Sequence, residues 1–196
     1  MLPCVNHSDP QHLPDNAEYE IRKALISVIE AEVTNTWQKP ISGILLGEAT
    51  LLYKYSFHAH KMGRRLAAER WARTAKHLAR ALKQEAEIEF LELHFSEFPS
   101  FQATFAEECA LNERKEMTVD LVNCVKEMVQ AKFSPLPDNM RRYLERAKLH
   151  IAPLTATQRL HDVLVTKRVN AAYEYGRVLE CLILAYEAEP NVKIAA

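Results

Sequence analysis

The chain has 196 residues, a formal net charge of -1, 48% hydrophobic and 26% charged residues, the composition of an ordinary globular protein and not of a disordered one. Only 4 glycines stand beside 9 prolines, against a usual glycine share of roughly 7%. Tight hairpins and phosphate-cradling loops consume glycine, so an all-β fold and a Gly-rich nucleotide site are both disfavoured.

The first 16 residues carry Pro3, Pro10 and Pro14 and lack the basic start and apolar run of a secretory signal, so they are expected to form a flexible leader. From about Ala17 to Trp37 apolar residues recur at three and four, the helical period, with Asp15 or Asn16 as cap. Ile21, Leu25, Val28, Ile29 and Val33 are expected to face inward, and Pro40 ends the helix. No proline then occurs before Pro99. Ser42 can cap a second helix bearing Leu45, Ala49, Leu52 and Tyr55. The pattern resumes at Leu66, Trp71, Ala75, Leu78 and Leu82, with Gly63 as the point of division. The run Glu87 to Leu93 alternates like a strand but continues a helical face, and helix is the preferred reading.

Phe98-Pro99-Ser100 reads as a turn, after which Phe101, Phe105, Leu121, Val125, Met128 and Val129 mark a helix to about Phe133. Pro135 and Pro137 stop it. Asp138 caps a shorter helix to about Ile151, and beyond Pro153 the pair Thr155 and Gln158 has capping-box spacing for a last helix carrying Leu160, Leu164, Ala171, Tyr175, Val178, Leu182 and Tyr186. The expectation is an all-α, antiparallel bundle of five to seven helices, several of them long. It forms one domain over residues 17–190, with a tail at 191–196. No apolar run approaches the ~20 residues needed to cross a bilayer.

Cys4, Cys109, Cys124 and Cys181 are dispersed and form no Cys-x-x-Cys pair, which reads as four reduced thiols in a cytosolic protein. Cys124 and Cys181 sit among apolar neighbours and are expected to act as small core hydrophobes.

A di-iron bundle site needs Glu-x-x-His on two helices, and the residues three before the helical histidines are Tyr55, Phe57, Thr74, Leu91, Ala147 and Gln158. No such motif exists, and no His-Glu-x-x-His occurs either, so no metal or cofactor is expected. A haem held by one histidine would leave no spacing signature.

The run His58-Ala59-His60-Lys61-Met62-Gly63 resembles the phospho-accepting helix of histidine phosphotransfer domains, but the accepting position is then Tyr53 and the resemblance fails there. Leu52-Tyr53-Lys54-Tyr55 with Lys61 resembles the end of the DNA-binding unit of TetR-type repressors, yet the preceding stretch is short and lacks the turn. Arg70 and His77 have the spacing used by the all-helical RNases of the HEPN class. Trp71 stands where that class carries a polar residue, and the composition alone supplies such pairs by chance.

Charge is balanced globally but segregated locally. Lys61 to Lys83 holds eight bases against Glu69 alone, and Glu85, Glu87, Glu89, Glu92 and Glu97 follow without a base. Arg73, Lys76, Arg80 and Lys83 fall on one helix face, opposite Trp71 and Leu78, and form the candidate surface for an acidic protein partner. Should the helices flanking Pro99 form a hairpin, Glu85, Glu89 and Glu92 would meet Glu107, Glu108 and Glu113 as an acidic cluster, with Arg114 and Lys115 as local compensation.

The resulting expectation is a non-enzymatic helical interaction, adaptor or regulatory protein that binds a protein partner. The alternatives are a nucleic-acid-associated regulator using the basic face and a helical enzyme, HEPN-like or haem-binding, without a recognisable motif. Missing interleaved aromatics and a pI of about 6.7 weigh against single-strand nucleic-acid binding.

Overall fold

The computed structural model describes residues 16–37, 43–94, 105–155 and 162–189. They form six helices: α1 Asn16–Trp37, α2 Gly43–Lys61, α3 Arg65–Leu93, α4 Phe105–Lys132, α5 Asp138–Thr155 and α6 Asp162–Ala188. Among the described residues there is no strand, and the alternating run after Glu87 is the C-terminal part of α3.

Gly63 divides α2 from α3 by a specific device. Its φ of 74° is open to glycine at no steric cost, and it lets Gly63 N–H donate to the His60 carbonyl and Arg64 N–H to the Ala59 carbonyl, both at 2.9 Å. This is the Schellman closure of a helix C-terminus. Pro153 does not stop α5, which continues to Thr155. The carbonyl that loses its donor belongs to Leu149, an exposed residue whose backbone water can serve. Thr155 is the last residue of α5; Gln158, Leu160, the turn at Pro99 and the caps Asp15 and Ser42 lie outside the described residues.

α3 is the centre of the bundle. It packs along α6, α1 and α2, while α5 and α4 attach to α6, and one apolar core draws residues from all six helices. The core turns on Trp71, fully buried, which meets Tyr55 and Tyr186 edge-on at centroid distances of 5.4 and 5.6 Å and donates its indole N–H to Glu189 at 2.9 Å. That bond satisfies the polar end of a side chain whose burial is worth several kcal/mol. α6 runs antiparallel to α3: Lys167 binds Glu87, Glu174 binds His77, the Leu184 carbonyl accepts from Arg70, and Glu189 binds Arg64. On α6, Gly176 lets α4 approach, since a Cβ there would lie 3.0 Å from Leu121 Cδ2.

The buried face of α1 differs from the expected one. Ile21 and Val28 are inside as anticipated, but they are joined by Ala17, Glu20, Ala24, Ser27 and Ala31, whereas Leu25, Ile29 and Val33 are 38, 49 and 54% exposed. Alanines spaced seven apart on the buried face let α1 lie close to α3, which meets it with the ion-paired stems of Arg73, Lys76 and Lys83, and close approach sets the rotation of the helix. Leu66, also expected inside, is exposed at the start of α3.

Cys124 is half-buried and disulfide-bonded, while Cys109 and Cys181 are free and Cys4 lies outside the described residues. The expectation of four reduced thiols is thereby corrected, and with it goes the argument from thiols to a reducing compartment. Cys181 fulfils its role as a core residue; burial pushes its thiol up to about 11. No helix is long and apolar enough to cross a membrane among the described residues.

Candidate interaction surface

The basic stripe of α3 is turned towards α1. Lys76 Nζ lies 2.6 Å from Glu20 Oε2, Arg73 lies 3.4 Å from Glu20 Oε1 and 2.7 Å from Glu69 Oε1, and Lys83 lies 3.1 Å from Glu30 Oε2. Glu20 and Glu69 are buried, and Asn16 donates to Glu69 at 2.9 Å, so the network clamps the start of α1 to α3. Only Arg80 among the four stands exposed. Arg73 and Lys76 thus neutralise buried carboxylates, whose desolvation is affordable only when such partners are in place, while Lys83 meets an exposed one.

The acidic half of α3 is likewise answered from within. Glu85, buried, lies 3.0 Å from His150 Nε2 and 3.5 Å from Arg146, both on α5; Glu87 binds Lys167 and Glu92 binds Arg168, both on α6. Glu89 is half-buried, and Glu107 and Glu108 are exposed on α4. Among the described residues α4 packs on α6 and α5 and makes no extended contact with α3, so these two helices do not pair as the expected hairpin. The acidic cluster Glu85, Glu89, Glu92, Glu107 and Glu108 is therefore not assembled as one surface; Glu97 lies outside the described residues.

Two buried histidines deserve comparison as candidate catalysts. His77 Nδ1 is 2.6 Å from Glu174 Oε2, and desolvation lowers its pKa, with Glu174 partly offsetting that effect. Arg70 and His77, seven residues apart, both face α6, and the Arg70 guanidinium is bonded to the Leu184 carbonyl at 2.6 Å. α6 thus covers the pair that has HEPN spacing. His150 lies parallel to Tyr175 at 6.1 Å, and Tyr175 lies 6.4 Å from Tyr143, whose hydroxyl donates to Glu48 at 2.7 Å. Burial, reinforced by the Glu48 charge at Tyr143 and the Glu85 charge at Tyr175, drives both phenols upward and keeps them protonated. Glu85 Oε2, His150 Nδ1 and the Tyr175 hydroxyl are buried with no hydrogen-bond partner among the described residues. No group of three or more His, Cys, Asp or Glu among the described residues is placed to hold a metal ion.

Exposed large apolar residues occur on all six helices, and on α1 several of them share its outer face. Tyr19, Ile26, Ile29 and Val33 are 56, 52, 49 and 54% exposed, and with the exposed Arg22 they occupy positions three and four apart along one side of the helix. Single exposed apolar residues are ordinary on protein surfaces, whereas a row of them on one helix face is less common. Beside it, an open groove of about 430 Å³ between α1 and α2 is lined by Glu32, Gly43, Leu46, Gly47, Thr50, Leu51 and Lys54. The sequence carried a signal for this face: α1 has large apolar residues on more than one side, too many for a single stripe.

Comparison with known proteins yields no match, whether to a family model, a curated protein or a solved structure.

Proposed function

We propose that the protein is a non-enzymatic helical interaction or regulatory protein, and that it binds a protein partner through the outer face of α1. The observation that carries this reading is the uninterrupted exposure of Tyr19, Ile26, Ile29 and Val33 on a helix whose other face is fully engaged. Aromatic and branched aliphatic side chains presented on a rigid helix are the anchors of helix-in-groove and helix-pairing contacts. The enzymatic alternative loses support because His77, Glu85 and His150 are buried under neighbouring helices and do not line the open groove. The nucleic-acid alternative loses support because Arg73, Lys76 and Lys83 are engaged by carboxylates.

The test is affinity capture from native lysate with the wild type and with Ile26→Ser/Ile29→Ser, both read by mass spectrometry. Proteins held by the wild type and lost from the double variant are expected. A capture profile that the double variant leaves unchanged refutes the assignment to α1.

A further inference from the structure

Resting on that reading, we propose that the partner of the α1 outer face is a second copy of this chain, paired antiparallel about a two-fold axis that passes between Ile26 and Ile29. The spacing comes first. Tyr19, Arg22, Ile26, Ile29 and Val33 follow one another at three, four, three and four, the a and d seam of a heptad, and all five are exposed. A seam of this kind meets its own copy well, because a two-fold contact is made of the same patch on both sides.

Charge complementarity then selects the orientation. The N-terminal half of the stripe carries Arg22, which is ion-paired with Glu18 of its own helix, and Lys23; the C-terminal half carries Glu30 and Glu32; the isoleucines lie between. In the antiparallel arrangement Ile26 packs on Ile29 of the second copy, the Arg22 stem on Val33, and Lys23 faces Glu30 across the seam, each contact occurring twice. A parallel, in-register pair would instead set Arg22 on Arg22 in the seam and take Glu30 away from Lys23, a like-charge cost and a lost ion pair that the antiparallel form avoids. Lys23 and Glu30 are both exposed, and the bond from Glu30 to Lys83 at 3.1 Å joins two partly exposed groups, so Glu30 remains accessible from the outer side.

Size sets the expected affinity. A helix pair of this length with half-exposed side chains buries on the order of 1,000 Å² in total, the lower limit for a specific interface, so a dissociation constant in the micromolar range is expected.

Sedimentation equilibrium of the full chain tests the proposal, with circular dichroism confirming that each variant keeps its helix content. The wild type is expected to be a reversible dimer at about 100 µM, and Ile26→Ser/Ile29→Ser a folded monomer. Lys23→Glu and Glu30→Lys should each weaken the dimer at least about tenfold. An equimolar mixture of these two single variants should restore it, because each then meets its opposite charge at both positions. A monomeric wild type overturns self-pairing, and a dimer that survives Ile26→Ser/Ile29→Ser places the contact elsewhere. A mixture that stays monomeric overturns the antiparallel orientation. If the wild type is monomeric yet loses captured proteins on Ile26→Ser/Ile29→Ser, self-pairing fails while the binding role of α1 stands; if neither effect appears, both fail.

Discussion

α3 and α1 lie side by side and invert the usual relation between polarity and position. α3 is rich in charge along its whole length, yet it is the central helix, with Trp71, Leu78, Ala79 and Ala81 fully buried and its carboxylates and bases matched by α1, α5 and α6. α1 offers large apolar residues on its outer side and sits at the edge. Hydrophobicity by itself therefore does not place a helix. A long charged helix can be central when neighbours supply complementary charge at the right register, and an apolar stripe stays outside when the opposite face has the smaller side chains and packs more closely.

The contrast is sharpest at Trp71. Trp71→Ala removes a fully buried side chain that joins α2, α3 and α6 and leaves Glu189 without its indole donor, so a loss of about 3–5 kcal/mol is expected in denaturant unfolding. A loss below about 1 kcal/mol would show that α3 is not the centre of the core.

Next in size are the charges between the two helices. Lys76→Glu sets a second carboxylate against buried Glu20 and should destabilise by about 2–4 kcal/mol. Arg80→Glu, on the same face but exposed, should change stability by less than about 1 kcal/mol. Equal thermal shifts for the two variants would mean that the α1–α3 clamp does not operate in solution.

A smaller effect is expected from His77. Its pKa is lower in the folded protein than the ~6.5 of an unfolded chain, chiefly through desolvation. The unfolded state then binds the proton more readily, so the stability tied to neutral His77 is complete above pH ~6.5 and is lost as the pH falls from there towards the folded value. Urea melts of the wild type and His77→Gln between pH ~7.5 and ~5.5 check this, the variant being expected to show the shallower decline. A steeper decline in the variant would reverse the sign.

The smallest effect belongs to the outer face of α1. Under dilute, monomeric conditions Ile26→Ser/Ile29→Ser should shift unfolding by no more than about 1 kcal/mol, since about half of each side chain is already in water. A large loss would mean that this face contributes to the fold of the single chain.

The helices themselves were legible in the chain. Periodicity at three and four, the prolines at 40, 99, 135 and 137, and Gly63 are local signals, and they point to five to seven helices, of which six are observed, and to core residues such as Trp71, Leu78, Val125, Tyr175 and Leu182. Tertiary structure decided what those segments do to one another. It turned Ile29 and Val33 outward and Glu20 inward, matched both charged halves of α3, sent α4 to α6 instead of α3, and covered Arg70 and His77. The reason is physical: the backbone sets helical conformation from neighbours a few residues away, whereas which face is buried depends on contacts between residues 50 to 120 positions apart, such as Glu20 with Lys76 and Trp71 with Glu189. One chain's periodicity does not encode which of two apolar faces will find the closer partner.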